Sequence, residues 1–351
     1  MCEHLGSFKT TNCLVYPMVS VDPFDHAVDC HLNGRVDEAL ASYVRVLQAD
    51  PTNEGAAQLV SVILRSYYEL ALTLMKLGRD EEAVLGFNRV LAIQPNDSVA
   101  HAYLAKLLIS SGKPGGASTH LRKYLKLVPE DHIGARMLLA HTGAEPIPSR
   151  AAASYVRGYY DNYARSYDQT LVEKLMYRAP HLVAQALRRH CHTNPVILDL
   201  GCGTGLSGVA VHQFTKGLDG IDLSPAMIAK ARTRDIYDTL EVADIYSLDK
   251  ARGLYDGIIA AGVFEHIGDP ECIFNVARKF LKPSGCFVFT AEENSTNKLG
   301  VNSAGYYTHG RDYLSDKARS HGFTVCEMRA VQTRYEGGTA ISGLCSVLRK
   351  N

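Results

Sequence analysis

The chain has 351 residues, 46% of them apolar, with 37 Lys and Arg set against 37 Asp and Glu. At roughly 100–200 residues per domain, that length and apolar share predict a folded protein of two or three domains and exclude wholesale disorder. A net charge of zero offers no broad basic face, so no nucleic-acid partner is expected. No apolar run reaches the roughly 18 residues of a membrane span, and Met1 to Lys9 lack the pattern of a secretion signal.

Residues 1–20 read as an N-terminal extension. Three segments then end alike, with Val46-Leu47 before Pro51, Val90-Leu91 before Pro95 and Tyr124-Leu125 before Pro129. Counting back from each proline, Ala39, Ala83 and Ala117 share one offset, and Tyr43, Phe87 and Leu121 share a second. Gly34, Gly78 and Gly112 share a third, and Ala27, Ala71 and Ala105 a fourth. Small residues let paired helices approach, the bulky residue fills the gap, Gly permits the turn and Pro stops the second helix. The pattern resembles the tetratricopeptide repeat, a 34-residue helix–turn–helix unit. Pro95 to Pro129 has that spacing, whereas Pro51 to Pro95 is ten residues longer. A further helix over 132–140 would cap an all-α repeat domain spanning 21–140. Such an array binds a protein partner or self-associates, or it only supports its neighbour; the pattern leaves these open.

Residues 141–152 hold two Pro and a Gly without periodicity and read as a linker. Directly after come Tyr155, Tyr159, Tyr160, Tyr163 and Tyr167. Their three- and four-residue spacing gathers rings on one side of a helix, as packed core or as a lid over a pocket.

From Pro195 on, short apolar runs alternate with helical patterns. Strands are expected at 196–200, 218–222, 240–244, 255–261, 286–290, 323–329 and 341–348. Helices are expected at 205–214, 226–232, 270–281 and 311–321. That alternation predicts an α/β domain over 153–351 with a mostly parallel sheet. Asp199-Leu-Gly-Cys-Gly-Thr-Gly205 follows the first strand and opens a helix, and Gly201, Gly203 and Gly205 let the backbone turn sharply beside a ligand. Asp222 ends the second strand, where a carboxylate can hold both ribose hydroxyls. Asp244 ends the third, where it can accept from a purine amine.

These segments, with 220–231 and Asp256 to Ile267, resemble the S-adenosylmethionine-dependent methyltransferases with a Rossmann-like, seven-stranded, mostly parallel sheet. The fusion to repeats resembles a group of repeat-containing methyltransferases. The resemblance implies S-adenosylmethionine as cofactor and S-adenosylhomocysteine as product. It implies that the loop Gly201, Cys202, Gly203 and Gly205 passes under the methionine part, which Asp199 helps to hold. Asp222 would hold the ribose, Leu223 and Met227 would flank the adenine, and Asp244 with the Ile245 backbone would read its edge. Ala261 and Gly262 would meet the methionine amine, and Tyr163 and Tyr167 the carboxylate or sulfonium, with Tyr155, Tyr159 and Tyr160 completing a lid.

If the acceptor carries a proton, a general base near neutrality helps. His266 beside Glu265 follows the fourth strand, and His309 precedes the last helix. Glu292 and Glu293 read as solvated charge. The small thiol of Cys202 reads as filler. Nine scattered cysteines without a Cys-x-x-Cys pair speak against a zinc framework or disulfides and for reduced thiols in a cytoplasmic protein, and no metal site is expected. The tyrosine-rich segment favours a small-molecule acceptor. An Asn/Asp-Pro-Pro-Tyr element is absent after the fourth strand, which argues against amide- and base-directed N-methyltransferases. A protein acceptor recruited by the repeats, and a non-catalytic cofactor-binding scaffold, are the alternatives.

Overall fold

The computed structural model describes residues 22–249 and 253–351, so the extension expected at 1–20 lies outside the described residues. The chain divides into two compact units between Pro95 and Asn96. Among the described residues, no helix is long and apolar enough to cross a membrane.

In the first unit, α1 (Pro23–Leu32) pairs with α2 (Val36–Ala49), and α3 (Glu54–Lys76) with α4 (Asp80–Ile93). The second unit begins with a third pair, α5 (Ser98–Ser110) and α6 (Pro114–Leu127), followed by the short α7 (Ala135–His141). The recurring alanines Ala27, Ala39, Ala71, Ala83, Ala105 and Ala117 are all buried, as are Tyr43, Phe87 and Leu121. Gly34, Gly78 and Gly112 each turn between paired helices at φ of +72°, +71° and +69°. An added Cβ there would touch nothing, so backbone conformation rather than space demands glycine. The first helix of each pair starts on a carboxylate or amide cap, Asp22, Asn53 or Asp97, that accepts a backbone N–H. The ten-residue excess of the second repeat is helix: α3 has 23 residues where α5 has 13.

The rest of the second unit is built on a seven-stranded sheet with the order β3-β2-β1-β4-β5-β9-β8. Its strands are β1 (Val196–Leu200), β2 (Gly217–Asp222), β3 (Thr239–Val242), β4 (Tyr255–Ala260), β5 (Leu281–Glu292), β8 (Phe323–Glu336) and β9 (Thr339–Lys350). The five strands from β3 to β5 pair in parallel, and β9 joins β5 and β8 antiparallel. The parallel strands are apolar because both faces are covered. On one side α13 (Glu271–Phe280) buries Ile273, Phe274 and Ala277 against Phe264, Phe287 and Phe289. On the other, α10 (Ala179–His190) buries Val183, Ala186 and Leu187 with Ile197 and Val288. Helices α11 (Leu206–Val211), α12 (Pro225–Arg232) and α14 (Arg311–Ser320) complete the alternation. Strand order reverses between β1 and β4, and ligands of such sheets bind beyond the carboxyl ends at that reversal.

Two elements lie outside the expected pattern. One is α10, and the other is a hairpin of β6 (Leu299–Val301) and β7 (Tyr307–His309) inserted between β5 and α14. The expected linker at 141–152 also differs from the division at Pro95. Its backbone is tied down: Ser149 O accepts from Gly268 N and Asp269 N at 3.1 and 2.9 Å, and Ala151 N donates to His266 O at 3.3 Å. The Tyr307 hydroxyl donates to Pro148 O at 2.7 Å. Proline and glycine here break helix periodicity while allowing a strap that binds through its carbonyls.

Helix α7 meets the hairpin, with His141 Nδ1 donating to Val301 O at 3.1 Å. Met137 closes a small core with Ala151 and Tyr307. Truncating it as Met137→Ala should cost about 2–5 kcal/mol through lost burial and the cavity left behind. Urea unfolding checks this; an unchanged midpoint would show that the α7 contact adds nothing to stability.

Candidate functional site

The turn after β1 is shaped by three residues with positive φ. Gly201 lies at +69°, and a Cβ there would stand 2.7 Å from Val263 Cγ2; Gly203 lies at +56°. The Asp222 carboxylate, at the end of β2, holds this turn by accepting from Gly203 N and Ser224 N, each at 2.8 Å. Burial pushes its carboxyl up, and the backbone N–H groups oppose the shift. A cavity opens above. Gly201, Gly203, Asp222, Leu223, Asp244 and Ile245, expected from the sequence to meet the cofactor, line it. Ala261, Gly262, Tyr160 and Tyr167 line it too, and so does His266.

The strap supplies residues that were not anticipated. Arg150 pairs with Asp244 at 3.3 Å and stacks on the Tyr246 ring, 4.5 Å from its centroid. Asp244 also caps the turn after β3 by accepting from Tyr246 N at 2.9 Å. A carboxylate has about four acceptor sites, so Asp244 keeps capacity for a ligand.

Five expected ligand contacts do not line this cavity: Tyr163, which lines a neighbouring one, and four residues of the motifs. Asp199 is fully enclosed and accepts from the Tyr237 hydroxyl at 2.8 Å, while its Oδ1 has no partner. Burial pushes its carboxyl up to about 7, against the lowering effect of Tyr237. Met227 faces inward on α12 and is buried, as is the Cys202 thiol. Gly205, at φ +90°, makes room for Arg234 and Tyr237 instead. In each case the motif serves the packing that holds the loop.

The tyrosines occupy α8 (Ala153–Tyr163) and α9 (Tyr167–Gln169). Two aspartates fasten this segment over the turn. Asp161 accepts from Ser224 Oγ at 2.5 Å and Ala226 N at 3.2 Å. Asp168 accepts from the Thr204 hydroxyl and the Arg234 guanidinium, whose Nε also donates to Thr204 O. So held, Tyr160 and Tyr167 reach the first cavity, and with Tyr159 and Tyr163 they wall a second. Tyr155 points elsewhere, into an outer groove with Tyr159.

Gly262 and His266, like Tyr160 and Tyr167, border both cavities. The Tyr160 hydroxyl and His266 Nε2 share a hydrogen bond of 2.9 Å, while His266 Nδ1 has no partner. Glu265 is buried beside it and leaves Oε2 unpartnered. Burial pushes its carboxyl up and the Arg334 guanidinium, 3.7 Å away, pulls it down. His309 is not at this junction. It is fully enclosed in β7, donates from Nε2 to Gly268 O at 3.2 Å and packs edge-on against Phe264. Glu292 is not solvated either, because it accepts from Arg334 at 3.1 Å and Asn302 at 2.7 Å. Arg334, Tyr177 and Tyr306 join the second cavity from distant elements.

Residues 197–285 match the methyltransferase domain family, and 64–97 match the tetratricopeptide repeat family. A malonyl-(acyl-carrier protein) O-methyltransferase of Priestia megaterium is 28% identical over 203 residues, covering 50% of this chain and 73% of that one. A ubiquinone biosynthesis O-methyltransferase of Paraburkholderia xenovorans is 27% identical over 132 residues, covering 36% of this chain. The match spans only 55% of that relative's length. Among solved structures, the 1,6-didemethyltoxoflavin-N1-methyltransferase of Burkholderia thailandensis aligns with a TM-score of 0.47 at 19% identity, over 59% of this chain and 93% of that one. The magnesium protoporphyrin IX methyltransferase of Synechocystis aligns with a TM-score of 0.46 at 16% identity, over 57% and 99%.

Burial pushes His266 and His309 down to about 4, from an ordinary 6.5. Each is neutral when folded and gains a proton on unfolding below pH 6.5. Their stabilising contribution is therefore whole above about pH 6.5 and is lost as pH falls towards 4. Asp199, raised to about 7, adds stability as pH falls over the same range, so the difference between proteins reads the histidine: His309→Gln should raise the urea midpoint relative to the parent more at pH 5 than at pH 7. An identical slope in the variant would remove His309 as a source of acid sensitivity.

Proposed function

Taking the chain as a methyltransferase domain preceded by tetratricopeptide repeats, we propose that it transfers a methyl group from S-adenosylmethionine to a small-molecule acceptor. One observation supports this most. Carboxylates at the end of β2 and in the turn after β3 face the same cavity as the positive-φ glycine turn, and that cavity shares four wall residues with a second one. Asp222 is suited to the ribose hydroxyls. Asp244 and the Ile245 backbone are suited to the adenine edge, with Leu223 alongside. Ala261 and Gly262 present backbone toward the methionine part, and Tyr167 lies over it.

When bound, the cofactor supplies a methyl group already activated by its sulfonium charge. The protein's task is then position, exclusion of water and removal of a proton. The clamp of Asp161, Asp168 and Arg234 holds Tyr160 and Tyr167 between the cavities, so that an acceptor in the second faces the first. A proton released there can pass to Glu265 Oε2, which has no other partner, whereas burial holds His266 down to about 4. The neutral His266 also orients the Tyr160 hydroxyl.

Asp222→Ala should weaken S-adenosylmethionine binding by about tenfold, or 1.4 kcal/mol, in calorimetry. Unchanged affinity would refute the ribose assignment. His266→Ala should keep cofactor affinity within about twofold and lower turnover with the acceptor by at least about tenfold. Full turnover in that variant would remove the orientation of Tyr160 by His266 from the reaction.

A further inference from the structure

Six tyrosine rings wall the second cavity: Tyr159, Tyr160, Tyr163, Tyr167, Tyr177 and Tyr306. They are packed against one another rather than into a uniform core. Tyr159 meets Tyr160 edge-on at 5.2 Å, and Tyr163 meets Tyr167 edge-on at the same distance. Ring faces carry negative potential and attract cations, most strongly where water is excluded.

Charge points the same way. Among the described residues lining this cavity, Arg334 is the only permanent cation. It is already committed to Glu336 at 2.6 Å, Glu292 at 3.1 Å and Glu265 at 3.7 Å. One guanidinium against three carboxylates leaves an excess of two negative charges. An entering carboxylate or phosphate would meet that excess and find the guanidinium taken. Glu265 is only 9% exposed, and its Oε2 has no hydrogen-bond partner. A buried carboxylate oxygen left bare, beside a ring of phenols, lacks a donor that carries positive charge.

We propose that the second cavity takes a protonated aliphatic amine, held over the tyrosine rings with its N–H directed at Glu265 Oε2, and that this nitrogen is the methyl acceptor. The proposal rests on the methyltransferase reading and specifies its acceptor. The bound ammonium first gives one proton to the Glu265 carboxylate, which frees its lone pair. The nitrogen then forms a bond to the methyl carbon as the carbon–sulfur bond breaks, and sulfur keeps that electron pair as a neutral thioether. The product is a methylated ammonium that keeps one positive charge, and Glu265 returns its proton to solvent.

The test uses the full chain, calorimetry and two probes of matched shape. Choline carries a quaternary ammonium that cannot be methylated, and 3,3-dimethylbutan-1-ol is its neutral carbon isostere. Both are titrated with and without S-adenosylhomocysteine. Choline should bind at least about tenfold tighter than the isostere in either state. Glu265→Gln should weaken choline about five- to tenfold and leave the isostere unchanged. Tyr306→Leu should weaken choline, and Tyr306→Phe, which keeps the ring, should not. Equal binding of the two probes overturns the proposal, as does a Tyr306→Leu variant that binds choline like the parent. Failure of S-adenosylhomocysteine to bind would instead overturn the methyltransferase reading, and the titrations on the free protein would still decide the cationic preference.

Discussion

One carboxylate holds the centre of the domain. Asp222 ends β2 and accepts from the backbone of Gly203, so the turn after β1 is pinned to the neighbouring strand. It also accepts from Ser224, which begins α12. Two loops at the carboxyl edge of the sheet thus share one anion. The turn can approach a ligand because Gly201 and Gly203 adopt backbone angles that side chains resist. Ser224 in turn donates to Asp161, so the tyrosine-rich segment hangs from the same anchor.

From that anchor the site is assembled by neighbours remote in sequence. The strap at 148–151 lies along the turn after β4 and delivers Arg150 to Asp244. The inserted hairpin buries Tyr307 and His309 and carries Tyr306 to the second cavity. The end of β8 brings Arg334 beside Glu265. Burial then sets the protonation states. It keeps His266 neutral and raises the Glu265 carboxyl, while Arg334 restrains that rise. The junction of the two cavities holds a neutral imidazole and a carboxylate with a free oxygen, and the carboxylate is the group placed to accept a proton.

Much of this was legible beforehand. The alanine offsets and the Tyr43, Phe87 and Leu121 offset picked out positions that are all enclosed, because close helix packing admits small residues and a gap-filling ring or leucine at fixed spacing. The strands at 196–200 and 255–261 emerged nearly to the residue, because a strand covered on both faces reads as an unbroken apolar run. Asp222, Asp244 and Gly201 could be placed because the ends of parallel strands are where such sheets meet ligands. His309 reads as a catalytic candidate because its sequence neighbours resemble a loop, and nothing local shows that a hairpin encloses it. Asp199 and Met227 belong to the motif but support it from beneath. The segment 141–152 looked like a linker because proline and glycine mark turns whether the chain is free or docked.

The sequence by itself determined the repeats, the order of strand and helix, and the acidic residues at the end of β2 and in the turn after β3. Each of these depends on periodicity or on a turn, which are properties of neighbouring residues. Only the tertiary structure decided which tyrosines face a cavity, which histidine is enclosed, and that Arg334 is surrounded by Glu265, Glu292 and Glu336. Those outcomes depend on burial and on the charge brought close in space, and both arise from chain segments more than a hundred residues apart in several of the contacts that matter, such as Tyr160 with His266.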